Sequence, residues 1–191
     1  MKYTISKSIE FDYGHRVHSH GSKCRNIHGH RGKVEATCLA NELQSSGEQS
    51  DMVLDFGFLK QIMMDQIHDC VDHGFILCIE DEILLRNFII DEILLRNFII
   101  DGSYIGTIKN LINESIKEFG YWLSTENTCR INFKTIDDTK LYVVPFIPTA
   151  ERLAEHFFNK IKDLVEEKSN GIAKLTNIRF WETPTSYSDF G

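Results

Sequence analysis

A chain of 191 residues with 42% hydrophobic side chains is long enough to bury a sizeable core and has the size of a single domain. Its formal charge of −7 argues against a general nucleic-acid-binding surface. Five cysteines, Cys24, Cys38, Cys70, Cys78 and Cys129, are odd in number and irregularly spaced, which excludes a disulfide framework and fits a reducing compartment, the cytoplasm.

The opening MKYTISKSIEF alternates polar and apolar residues like a strand and lacks the unbroken apolar run of a signal peptide. Residues 2–11 and 32–41 read as an antiparallel strand pair, the second with Val34, Ala36 and Cys38 in alternation. Between them, His15, His28 and His30 suggest a catalytic zinc site beside the thiol of Cys24. Residues two apart on a strand share a face, so His28 and His30 can grip one ion while His15 joins from another element. Three protein nitrogens leave a tetrahedral zinc one open position for water or substrate. The same stretch carries Arg16, Lys23, Arg25, Arg31 and Lys33 and no acid, a pattern that would steer an anionic small molecule. For any one of these side chains, a balancing acidic neighbour is the simpler reading.

A polar loop, NELQSSGEQSD, precedes a helix that follows Asp55 as its cap and places Phe58, Ile62 and Ile67 at helical spacing. The most apolar window, residues 80–100, is broken by acids, Arg86, Arg96 and two asparagines and is a poor membrane span. It holds an exact tandem repeat, DEILLRNFII at 81–90 and 91–100, which carries no functional signal. Thr149 caps a second helix with Glu151 in its first turn and an apolar stripe of Leu153, Phe157, Ile161 and Leu164. AKLTNIRFWET then reads as a strand, with Asn177 pointing inward and little room beyond it for a final strand.

Six segments, in order, resemble the 6-pyruvoyl-tetrahydropterin synthase superfamily: FDYGH ending at His15, CRNIHGH from Cys24, VLDFGFLK around Asp55, VDHGFIL around Asp72 and His73, PTAERLAEHF from Pro148, and WETPTS around Glu182. Three residues separate Cys24 from the HGH, a spacing more similar to bacterial 6-carboxytetrahydropterin synthase than to the animal 6-pyruvoyl enzyme. The resemblance covers roughly residues 3–77 and 143–191, and reads the whole chain, 1–191, as one synthase domain with a long insertion at about 78–142.

This resemblance implies an α+β tunnelling fold, an antiparallel sheet with two helices on one face, assembled into trimers and homohexamers. It implies His15, His28 and His30 as zinc ligands, Cys24 as the catalytic cysteine, Asp72 and His73 as an acid–histidine pair, and Glu182 as the pterin anchor. The implied reaction turns 7,8-dihydroneopterin triphosphate into 6-carboxy-5,6,7,8-tetrahydropterin, acetaldehyde and triphosphate, feeding 7-deazaguanine (queuosine-type) synthesis. A 6-pyruvoyl synthase and a noncatalytic pterin-binding assembly protein are the alternatives. Neighbouring strand residues face opposite ways, so a turn is needed for Asp72 and His73 to act together.

Overall fold

The structure, a computed structural model, describes residues 2–90, 103–124, 134–135 and 139–191. Two compact units are distinguished, one of Met1–Asp12, His30–Asp72 and Thr149–Gly191, the other of Tyr13–Gly29 and His73–Pro148. Among the described residues no helix is long and apolar enough to cross a membrane.

In the first unit the sheet runs β1 (Tyr3–His15), β2 (His28–Ala40), β8 (Lys174–Thr183), β9 (Ser186–Phe190), the outer strands named by their place in the chain. Strand β8 is antiparallel to both β2 and β9. Val34, Ala36 and Cys38 of β2 are fully buried, as their alternation requires. Helix α1 (Phe56–Met63) starts at Asp55, whose carboxylate accepts from the N–H groups of Gly57 and Phe58 at 2.7 and 3.2 Å. It continues through a π-helical turn, Met64–His68, and a last short turn, Asp69–Val71. The buried residues are Leu59, Met63 and Ile67, four apart, with Phe58 and Ile62 only half-buried at the margin of that stripe.

Helix α4 (Ala150–Lys168) starts at Thr149, whose hydroxyl accepts from Arg152 N–H at 3.4 Å, and it lies on β8 and β9 beside α1. Leu153, Phe157 and Ile161 are buried; Val165 completes the stripe and Leu164 stays at its margin. Phe157 meets Phe11 and Phe180 with ring centroids 6.3 and 6.0 Å apart.

Two expectations fail in this unit for physical reasons. A bulge shifts the β2/β8 register, Thr37 facing Asn177 but Cys38 facing Leu175. The extra residue brings Leu175, Ile178 and Phe180 all inward and turns Asn177 to the opposite face, where its amide donates to Asp189 at 3.1 Å. A final strand does form. Strand β9 is held by a bidentate Arg179–Asp189 pair at 2.8 Å and by Phe190 resting on Phe158, centroids 5.3 Å apart. Arg179 keeps the Asp189 carboxyl below the usual carboxylate range.

In the second unit the order is β5 (Trp122–Leu123), β7 (Leu141–Val144), β3 (Gly74–Cys78), then the end of β1. The α+β class holds, but here the sheet is mixed rather than purely antiparallel: β3 pairs in parallel with both β1 and β7, while β5 is antiparallel to β7. Such pairs need a crossover, and helical segments occupy the connections on both sides of β3. Helices α2 (Glu82–Phe88) and α3 (Ser103–Phe119) supply Leu84, Leu85, Ile112 and Ile116 to a core with Phe75, Leu77, Trp122 and Val143. The first repeat copy thus forms α2 and the short strand β4 (Ile89–Ile90), which pairs with β6 (Lys134–Thr135). The second copy and Cys129 lie outside the described residues.

Removing the cap with Asp55→Ala is expected to cost about 1 kcal/mol, read from the urea midpoint. Burial lowers the His156 imidazole of α4 from its ordinary 6.5 to about 3, with Lys160 and Arg152 adding to the effect. The unfolded chain therefore binds more protons between those values, so stability falls as pH drops from 6.5 towards 3. A His156→Gln variant should show a flatter loss over that range in denaturation measured at several pH values.

Candidate metal centre and the groups around it

Local backbone rules bring the three histidines together. His15 ends β1, while His28 and His30 open β2 on one face two residues apart. One nitrogen of each lies within 4.8 Å of those of the other two. Space is tight at Gly29 between the pair, where a Cβ would lie 3.1 Å from the Tyr13 carbonyl oxygen. At Gly14 a Cβ would fall 2.8 Å from the Phe75 ring, so that ring would have to shift to admit it.

His15 is fully buried, and its Nδ1 lies 2.9 Å from the carbonyl oxygen of Pro148. A carbonyl only accepts, so Nδ1 carries the proton and the Nε2 lone pair is the one available to a metal. His28 repeats the device, with Nδ1 2.7 Å from the Asn26 carbonyl oxygen. The rings of His15 and His28 stand 4.6 Å apart, and Tyr13 meets His15 edge-on at 5.2 Å. Imidazoles oriented through Nδ1 by backbone carbonyls are what a metal-binding set needs, and the donors fit a divalent ion of the zinc type.

His30 has a second neighbour, the carboxylate of Glu182 on β8, with Nε2 and Oε1 3.9 Å apart and both side chains partly exposed. Cys24 sits half-buried in a 3-10 turn, Lys23–Arg25, four residues before His28, and its carbonyl accepts from Val17 N–H at 2.8 Å. Asp72 and His73 occupy the turn into β3, and His73 takes a left-handed φ of 53°. Asp72 Oδ1 accepts from Asp12 N–H at 3.0 Å, and Oδ2 lies 3.8 Å from His68 Nε2. His68 closes the π-helical turn, with Nδ1 3.0 Å from Asp69 Oδ1. Sequence reading missed it; the i,i+4 spacing of His68 and Asp72 was the available signal.

The run of basic residues is dispersed. Arg16 forms a bidentate pair with Asp81, the first residue of the repeat, which also accepts from Leu84 N–H at the start of α2. Arg31 pairs with Glu10 at 3.1 Å, and Lys33 lies 4.4 Å from the Trp181 ring centroid. Lys23 and Arg25 are exposed on the 3-10 turn. Balancing neighbours therefore account for Arg16 and Arg31.

The sequence matches the family described as 6-pyruvoyl tetrahydropterin synthase over residues 4–191. A Haemophilus influenzae protein named 6-carboxy-5,6,7,8-tetrahydropterin synthase is 31% identical over 188 residues, 98% of each chain. A protein of the same name from Aquifex aeolicus is 25% identical over 206 residues, 100% of this chain and 98% of its own. Among solved structures, an uncharacterized Wolinella succinogenes protein superposes with a TM-score of 0.61 at 23% identity, over 100% of this chain and 98% of its own. Plasmodium vivax 6-pyruvoyl tetrahydropterin synthase does so at 0.59 and 13% identity, over 100% and 97%. At these identities the structures bear on the fold alone.

Protein dialysed against zinc is expected to retain about one ion per chain by elemental analysis. His28→Ala should weaken that affinity by more than the roughly 10–100-fold typical of outer-shell losses.

Proposed function

Because the chain belongs to the 6-pyruvoyl tetrahydropterin synthase family, we propose that it is a zinc-dependent 6-carboxytetrahydropterin synthase. It takes 7,8-dihydroneopterin triphosphate to 6-carboxy-5,6,7,8-tetrahydropterin, acetaldehyde and triphosphate, in the cytoplasm, as a step towards 7-deazaguanines of the queuosine type. The observation that carries this reading is the cluster of His15, His28 and His30 in a chain aligned end to end with the Haemophilus relative of that name. The Cys24 to His28 spacing favours the carboxy branch over the pyruvoyl branch.

Three imidazoles would hold the zinc, which when bound supplies Lewis acidity towards the hydroxyls of the substrate side chain. Cys24 then serves as the base that takes a proton from that side chain, in its thiolate form. His73 relays protons to and from the substrate, and Asp72, held by Asp12 N–H, stabilises imidazolium. Glu182 accepts hydrogen bonds from the pterin amino and ring N–H groups. Its 3.9 Å approach to His30 supports this role, because a pterin gripped there would have its side chain near the ligand set. We assign residues 1–191 to one synthase working as a homohexamer built from trimers, with 78–142 as an insertion. The near-complete coverage of the Haemophilus relative implies that such a segment is not peculiar to this chain.

Incubating zinc-loaded protein anaerobically with 7,8-dihydroneopterin triphosphate should yield acetaldehyde and 6-carboxytetrahydropterin by mass spectrometry. Cys24→Ala should lower that rate by about 10²–10⁴-fold with zinc content unchanged. A 6-pyruvoyl product would move the chain to the pyruvoyl branch, and intact substrate despite bound zinc and pterin would mark a noncatalytic binder.

A further inference from the structure

Within the first unit, and apart from the groups assigned above, a thiol and an amine meet between two helices. Lys160 of α4 places Nζ 3.3 Å from Sγ of Cys70, which belongs to the short turn Asp69–Val71. Cys70 is 7% exposed, and its Sγ lies 3.8 Å from the Asp65 carbonyl oxygen. The two residues are 90 positions apart in sequence. Buried cysteines are ordinarily inert, as Cys38 is, its thiol pushed up to about 12 by burial. Cys70 differs in having an amine at contact distance. Burial also lowers the Lys160 ammonium from its usual range, favouring the neutral, nucleophilic amine, although the adjacent sulfur opposes that shift.

We propose that Cys70 and Lys160 form a covalent sulfur–nitrogen link, a sulfenamide, when the protein meets a hydroperoxide. The peroxide transfers an oxygen to the thiol, giving a sulfenic acid as the O–O bond breaks and water leaves. The Lys160 lone pair then attacks that sulfur. The S–N bond forms, the S–O bond breaks, and the hydroxyl departs as water with a proton from nitrogen. Sulfur is oxidised by two electrons, the peroxide is reduced by two, and the protein loses two hydrogens. A thiol reductant reverses the step by attacking sulfur and expelling the amine. The link ties α4 to the segment that leads, two residues on, into Asp72.

The test uses the full wild-type chain treated with hydrogen peroxide, quenched with catalase, blocked with N-ethylmaleimide and cleaved on the carboxyl side of glutamate for mass spectrometry. The expected result is a joined pair of peptides containing Cys70 and Lys160, two hydrogens lighter than their sum and separated by dithiothreitol. Lys160→Arg keeps the charge but cannot make this link, so the joined pair should vanish. The proposal is overturned if wild-type Cys70 is recovered as its maleimide adduct, as sulfinic acid or in a disulfide with Lys160 unmodified. A joined pair heavier by one oxygen would also overturn it, since the bridge would then be S–O–N. The wild-type map decides the matter by itself should the variant fold poorly.

Discussion

A single hydrogen bond, from the buried His15 imidazole to the Pro148 carbonyl, decides which ring nitrogen the candidate metal centre can offer. It joins residues 133 positions apart, and a carbonyl can accept in only one sense, so it fixes both the ring's orientation and its tautomer. A proline suits that position because it keeps the acceptor and has no N–H of its own to satisfy. The next residue, Thr149, caps α4, so the chain passes directly from orienting His15 to starting the longest helix among the described residues. His28 relies on a carbonyl only two residues away, and Asn26 with its 3-10 turn does locally what Pro148 does from afar.

The clustering of His15, His28 and His30 was legible in the sequence because its logic is local. Two histidines flanking a glycine on a strand must share a face, and the buried alternation of Val34, Ala36 and Cys38 identifies that strand. The caps at Asp55 and Thr149 were legible for the same reason, each acting within three residues of itself. What depended on distant pairing was not. Asn177 looked inward by simple alternation, and a bulge opposite Thr37 and Cys38 reversed it. Ser186–Phe190 is nearly all polar and becomes a strand only because Arg179 and Phe158 hold it. Between residues 78 and 142 the described strands have two residues each, too short for any period to show.

Charge shows the same division between local and distant information. A basic run without an internal acid resembles an anion-steering surface, yet the acids that answer Arg16 and Arg31 are Asp81 and Glu10. Asp81 also caps α2, so one carboxylate serves the arginine next to His15 and a helix start. Cys70 likewise reads as a small hydrophobe until Lys160 arrives from another helix. In both cases the side chain's type was plain and its environment was not.

The left-handed backbone of His73 bears on how substitutions there should be understood. A β-branched or bulky replacement must adopt a conformation that costs such residues of order 1–3 kcal/mol, whereas glycine and asparagine enter it readily. A saturation library at this position would therefore superimpose two rankings, one of backbone tolerance and one of proton chemistry. Valine would score poorly through the backbone alone, while asparagine keeps the turn and removes the ring, which makes it the replacement whose phenotype isolates the imidazole.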